Sequence, residues 1–95
     1  VLGAGAYGTA IARTLARNKH EVTLWSYDEA HAARINEKNE NVSRLPGITL
    51  PDTLKAVSSL EEACIGRDAL IFAVPSLYLM DIIRQVLFFE DIVES

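Results

Sequence analysis

The sequence is poor in cysteine, with Cys64 standing alone among 95 residues. A single thiol excludes an internal disulfide and makes no zinc site by itself. It points to a reducing compartment, and so to the cytoplasm. Apolar runs long enough to cross a bilayer are missing, which excludes an ordinary transmembrane helix and argues against a membrane partner. The first residues lack the charged start and long apolar stretch of a secretory signal. Val1, however, stands inside an expected strand, which implies that chain precedes it and that any targeting signal lies there. Basic residues are also few, nine against thirteen acidic, for a net charge of −4. They are scattered rather than grouped, which argues against a nucleic-acid partner, since phosphate tracking needs clustered Lys and Arg.

What is present is a chain with 49% hydrophobic residues, too apolar for disorder and short enough for one domain at most. The chain reads as alternating strands and helices. Val1-Leu2 is the end of a buried strand. From Thr9 to Asn18 the spacing is helical. Ile11 and Leu15 share one face with Ala12 and Ala16, and Arg13 and Arg17 point to solvent. Asn18 to His20 makes a turn into the strand Val22–Trp25. Asp28 can cap a helix through Asn36, and Asn39 to Pro51 is a loop. Leu54–Val57 is a second short strand. Ser59 with Glu62 predicts a capped helix to Cys64, ended by Gly66. Ala69–Val74 is a continuous apolar run, expected as a parallel strand covered on both faces and stopped by Pro75. Ser76 can cap a last helix with an apolar stripe of Leu79, Ile82, Ile83 and Val86. This alternation predicts an α/β fold of the Rossmann type, a doubly wound parallel sheet incomplete at both ends.

Gly3-x-Gly5-x-x-Gly8 carries the most information. Gly3 allows the tight turn out of the strand, Gly5 lets backbone approach a pyrophosphate, and Gly8 lets the helix lie close to the strand. The unpaired amides at the helix start carry partial positive charge, which suits phosphate. Glycines also occur in ordinary turns, and the bare pattern is weak. Here a strand end precedes it, a helix follows, and a second strand ends about 20 residues further on, where ribose recognition is expected. At that strand end Asp28 is either a ribose ligand favouring NAD or simply a helix cap. Tyr27 either stacks on adenine or covers the sheet edge. Val74-Pro75-Ser76 ends the fourth strand beside the expected crevice, although a plain strand-to-helix turn explains it equally. His20 and His31 read as solvated, Tyr78 either lines the cofactor site or packs on the last helix, with packing favoured where no motif decides, and Glu61-Glu62 read as dipole-favoured first-turn acids. No metal cluster and no acid–base pair stand out.

Gly3-Ala4-Gly5-Ala6-Tyr7-Gly8-Thr9-Ala10-Ile11-Ala12 resembles the opening loop of NAD(P)-dependent glycerol-3-phosphate dehydrogenases. The resemblance continues through His20–Trp25, Asn41-Val42-Ser43-Arg44-Leu45-Pro46-Gly47, Leu50-Pro51 and Val74-Pro75-Ser76, in order and at the family's spacing, as far as Val86. It implies that residues 1–95 are part of a dinucleotide-binding domain, and that a helical substrate domain lies outside this chain. It further implies NAD or NADP as cofactor and reversible hydride transfer to dihydroxyacetone phosphate. The product, glycerol 3-phosphate, feeds phospholipid synthesis. Gly3, Gly5, Ala6, Tyr7 and Gly8 would form the pyrophosphate loop. Tyr27 would meet the adenosine end, Arg44 a cofactor-contacting loop position, and Pro75 and Tyr78 the nicotinamide side. Some members carry Arg or His where Tyr27 stands, which leaves NAD against NADP open. The family's catalytic lysines lie further along, so no catalytic residue is assigned here, and a homodimer of the full-length parent stays open. Leu87–Ser95 does not align with the family and reads as a helix end or as pieces joined across a gap. The resemblance and the glycine loop leave a second reading, a nucleotide-binding sensor without redox chemistry, because fold alone does not decide function. A related dehydrogenase acting on another substrate is a third.

Overall fold

A computed structural model describes residues 1–94 of the chain, and side-chain surroundings for residues 1–89. Its elements are α1 (Ala6–Arg17), β1 (Val22–Trp25), α2 (Glu29–Lys38), β2 (Leu54–Val57), α3 (Leu60–Cys64) and α4 (Ser76–Glu94). β1 and β2 fall where the sequence places them and pair in parallel, Val22 opposite Leu54 and Trp25 opposite Val57. The outer expected strands form single parallel bridges instead of ladders, from Leu2 to Trp25 on one side and from Leu2 to Phe72 on the other. The backbone bonds are good: Leu2 N–H donates to Ile71 O at 2.7 Å, Ala73 N–H to Leu2 O at 2.8 Å, and Trp25 N–H to Val1 O at 2.8 Å. Past Leu2 the pairing ends where Gly3 turns away at φ +124°. The spatial order is therefore the Ile71–Ala73 segment, Leu2, β1, β2, with every described pairing parallel.

Helices lie on both faces. Ala12 and Ala16 of α1 and Ala32 and Ile35 of α2 pack on Val22, Leu24, Leu54 and Ala56. Leu60, Ala63 and Cys64 of α3 and Ile82 and Val86 of α4 pack on Leu2 and Trp25. This is the doubly wound arrangement that the alternation predicts. The Ala69–Val74 segment is less covered than expected: Ala69 is exposed and Phe72 is 39% exposed, while Leu70 and Val74 pack on the α3 and α4 cluster.

Local rules explain most helix ends. Asp28 caps α2, its Oδ1 accepting from Ala30 N at 2.9 Å and His31 N at 3.3 Å, and Asn39 closes the helix in the left-handed region at φ 51°. Ser59 Oγ accepts from Glu62 N at 3.2 Å to start α3. Two ends differ from expectation. α1 begins at Ala6, three residues earlier than the side-chain spacing suggests, because Gly8 and its neighbours are already helical. α4 takes Ser76 as its first residue rather than its cap, and continues unbroken through Leu87 to Glu94. Ser95 lies outside the described residues. Arg13 is half-buried, and its Nε donates to Thr49 O at 3.0 Å in an exposed bond that ties α1 to the long loop. No helix among the described residues is long and apolar enough to cross a membrane.

Candidate functional site: a glycine loop at the strand ends

The turn from Leu2 into α1 gathers the sequence's three motif glycines. Gly3 has φ +124°, and a Cβ there would stand 2.5 Å from Ala73 O, so both conformation and space require glycine. A Cβ on Gly8 would overlap the Gly3 carbonyl and lie 3.1 Å from Ala73 Cβ, which is the close helix–strand approach. Gly5 is different. It is the N-cap of α1 in an extended conformation, and nothing stands within 4 Å of where its Cβ would be.

That open space faces an uncompensated helix N-terminus. The first intrahelical bond is Thr9 N to Gly5 O at 3.0 Å, so the N–H groups of Gly5, Ala6, Tyr7 and Gly8 have no partner inside α1. No side chain caps them, and no acid sits in the first turn. Ala6 and Tyr7 are exposed, Tyr7 at 75%. Amides, partial positive charge and empty space coincide where a diphosphate would lie.

The other sequence-singled residues gather around this loop at the same, C-terminal, ends of the strands. Ser26-Tyr27-Asp28 follows β1, whose last residue Trp25 accepts from Gly3 N at 3.1 Å. Pro75 and Tyr78 follow Ala73 and Val74, which stand against Gly3. Arg44 lies in a turn whose N–H donates to Asn41 O at 3.2 Å, and Asn41 touches the glycine loop directly. The chain's three tyrosines, Tyr7, Tyr27 and Tyr78, are all exposed here. Tyr27, 83% exposed, does not cover the sheet edge, and Tyr78, within α4, is 56% exposed. Asp28 serves as the α2 cap.

Sequence reading missed the groups that hold the loop in place. Asn41 is fully buried. Its Nδ2 donates to Ala4 O at 2.9 Å and to Thr9 Oγ1 at 2.8 Å. His31, expected in solvent, is half-buried, with Nε2 at 2.9 Å from Asn41 Oδ1 and Nδ1 at 3.0 Å from Ser26 Oγ. The signal available was the Asn41–Gly47 segment, which carries the family resemblance but gives no hint of which side chain turns inward.

A cleft of about 410 Å³ lies elsewhere, lined by Cys64, Arg67, Leu70, Phe72 and Leu87 among others. None of the glycine-loop residues line it. A groove over exposed amides is shallow by nature, so depth is a poor guide to a phosphate site, and the amide geometry is the better indicator.

Residues 1–90 match the family described as NAD-dependent glycerol-3-phosphate dehydrogenase N-terminus. Over 86 residues, 90% of this chain, the sequence is 44% identical to a glycerol-3-phosphate dehydrogenase [NAD(P)+] of Salmonella paratyphi B, of which the match covers 25%. The fold is similar to the glycerol-3-phosphate dehydrogenase of Saccharomyces cerevisiae, with TM-score 0.83 and 33% identity over 90% of this chain and 28% of that one. It is also similar to the Dunaliella salina protein DsGPDH, with TM-score 0.84 and 34% identity over 90% of this chain and 17% of that one. The chain thus spans about a quarter of the length of the curated relatives it matches.

Proposed function

The chain belongs to the NAD-dependent glycerol-3-phosphate dehydrogenase N-terminal family, and on that premise we propose that it is the cofactor-holding part of an oxidoreductase. The reaction served is reversible hydride transfer between NAD(P)H and dihydroxyacetone phosphate, giving glycerol 3-phosphate. Residues 1–95 are then part of the dinucleotide-binding domain, and the substrate is gripped by a helical domain outside them. The observation that carries this reading is the uncapped start of α1 beside the open space at Gly5.

Gly3 and Gly8 shape the turn, while the N–H groups of Gly5, Ala6, Tyr7 and Gly8 donate to the pyrophosphate oxygens. Tyr27 flanks the adenosine end and Arg44 adds a cation from the neighbouring loop. Pro75 and Tyr78 border the nicotinamide side. The dinucleotide supplies the hydride, and this chain supplies position. The acid that protonates the carbonyl oxygen belongs to the lysines that the family carries further along.

Titration of the 95-residue chain with NADH and with NADPH tests this, reading cofactor emission and the fluorescence of Trp25, the sole tryptophan. Saturable binding of at least one is expected, without turnover of dihydroxyacetone phosphate. Failure of both on protein with native circular dichroism, or turnover by this chain alone, would overturn the reading.

A further inference from the structure

The hydrogen-bond chain behind the glycine loop fixes the Asn41 amide and places a hydrogen on His31 Nε2. The Ala4 carbonyl oxygen can only accept. Asn41 must therefore present Nδ2 to it, at 2.9 Å, and the same Nδ2 reaches Thr9 Oγ1 at 2.8 Å. With Nδ2 committed, Asn41 Oδ1 faces His31 Nε2 at 2.9 Å. An amide oxygen can only accept, so Nε2 carries the hydrogen. In the neutral ring Nδ1 is then the acceptor, and Ser26 Oγ donates to it at 3.0 Å. Ser26 Oγ in turn accepts from the Asp28 backbone N–H at 3.3 Å. Ser43 Oγ, 3.3 Å from Nε2 and 3.5 Å from Asn41 Oδ1, closes the cluster. One relay thus joins the glycine turn, the end of β1 and the loop that carries Arg44.

The relay sets the direction of one amide. A trans peptide points its C=O and the next N–H to opposite sides. Asn41 pulls the Ala4 carbonyl inward, so the Gly5 N–H is turned to the opposite side, away from Asn41. An Asn41 with its amide reversed would set oxygen against oxygen and release that peptide. The Ala4 carbonyl decides which way the amide faces, and the His31 Nε2–H donating to Oδ1 adds a second bond that the reversed amide would lose.

We propose that Asn41 and His31 are positioning residues for dinucleotide binding: Asn41 aims the Gly5 N–H at the pyrophosphate, and His31 holds Asn41 in the single orientation that does so. This rests on the cofactor reading above. Neither residue touches the ligand, and both lie too far along the chain from Gly5 for local sequence to pair them.

The test compares His31→Leu, which removes the donor, with His31→Gln, whose side-chain amide restores a donor near the Nε2 position, in the 95-residue chain. Losing one charge-free hydrogen bond that aims a ligand amide should weaken ADP-ribose binding about tenfold in H31L, and H31Q should return to within about threefold of the parent. Adenosine, which lacks the pyrophosphate, should bind all three alike. The Gly5 amide resonance should shift in H31L and return in H31Q. Imidazole ¹⁵N shifts at mildly alkaline pH should report the Nε2–H tautomer of His31. If the parent chain binds no dinucleotide, the cofactor reading falls and takes the proposal with it. If the parent binds but folded H31L binds equally well, if H31Q is as weak as H31L, if adenosine loses as much as ADP-ribose, or if His31 is the Nδ1–H tautomer, the positioning role alone is overturned.

Discussion

Two glycines three residues apart are glycine for opposite reasons. At Gly8 a methyl would collide with the Gly3 carbonyl and crowd Ala73 Cβ at 3.1 Å, both fixed by the sheet. Gly8→Ala should therefore cost about 1–3 kcal/mol of stability or more, read by chemical denaturation. At Gly5 a methyl meets nothing within 4 Å, and φ −78°, ψ −174° suits any residue. Gly5→Ala should keep stability within about 1 kcal/mol, yet weaken NADH binding by about tenfold or more, since the methyl fills the pyrophosphate's space. Equal stability losses, or a Gly5→Ala chain that binds normally, would refute the division of roles.

Which residues could be read in advance follows from the range of their bonds. Asp28 and Ser59 bond amides two or three residues away, and both caps were legible as short patterns. Asn41 bonds partners 37 and 32 residues away. His31 reaches Asn41 ten residues on, across a loop whose path no local rule dictates. The loop was legible as a loop, and its inward-turning side chain was not.

At the level of elements, β1, β2 and α3 stood where turn residues and caps bounded them. The outer strands did not, because a ladder is a property of two segments. Apolar content marked Ala69–Val74 as a strand, while its described pairing is a single bridge to Leu2. α1 began early for a related reason: the side-chain period starts at the first inward residue, whereas the backbone turns helical at Ala6, where exposed Ala6 and Tyr7 give no apolar signal. α2 offers the cleanest check on a local rule. Asp28→Ala should remove about 1 kcal/mol, and Asp28→Asn should recover most of it, measured by thermal or chemical unfolding. A loss well above that would mean Asp28 holds more than the helix end.

Across the whole molecule, two apolar layers sandwich a short parallel sheet, and the turns that follow Leu2, β1 and Ala73 meet at one end of it. The 410 Å³ cleft opens elsewhere, by Arg67, Leu70 and Phe72. Amide resonances of the ¹⁵N-labelled chain, followed as NADH is added, distinguish the two directly. The shifts should be largest at Gly5, Ala6, Tyr7 and Gly8, with smaller ones at Tyr27 and Tyr78. Largest shifts at Arg67, Leu70 and Phe72, with the glycine loop unmoved, would contradict a diphosphate held by the start of α1.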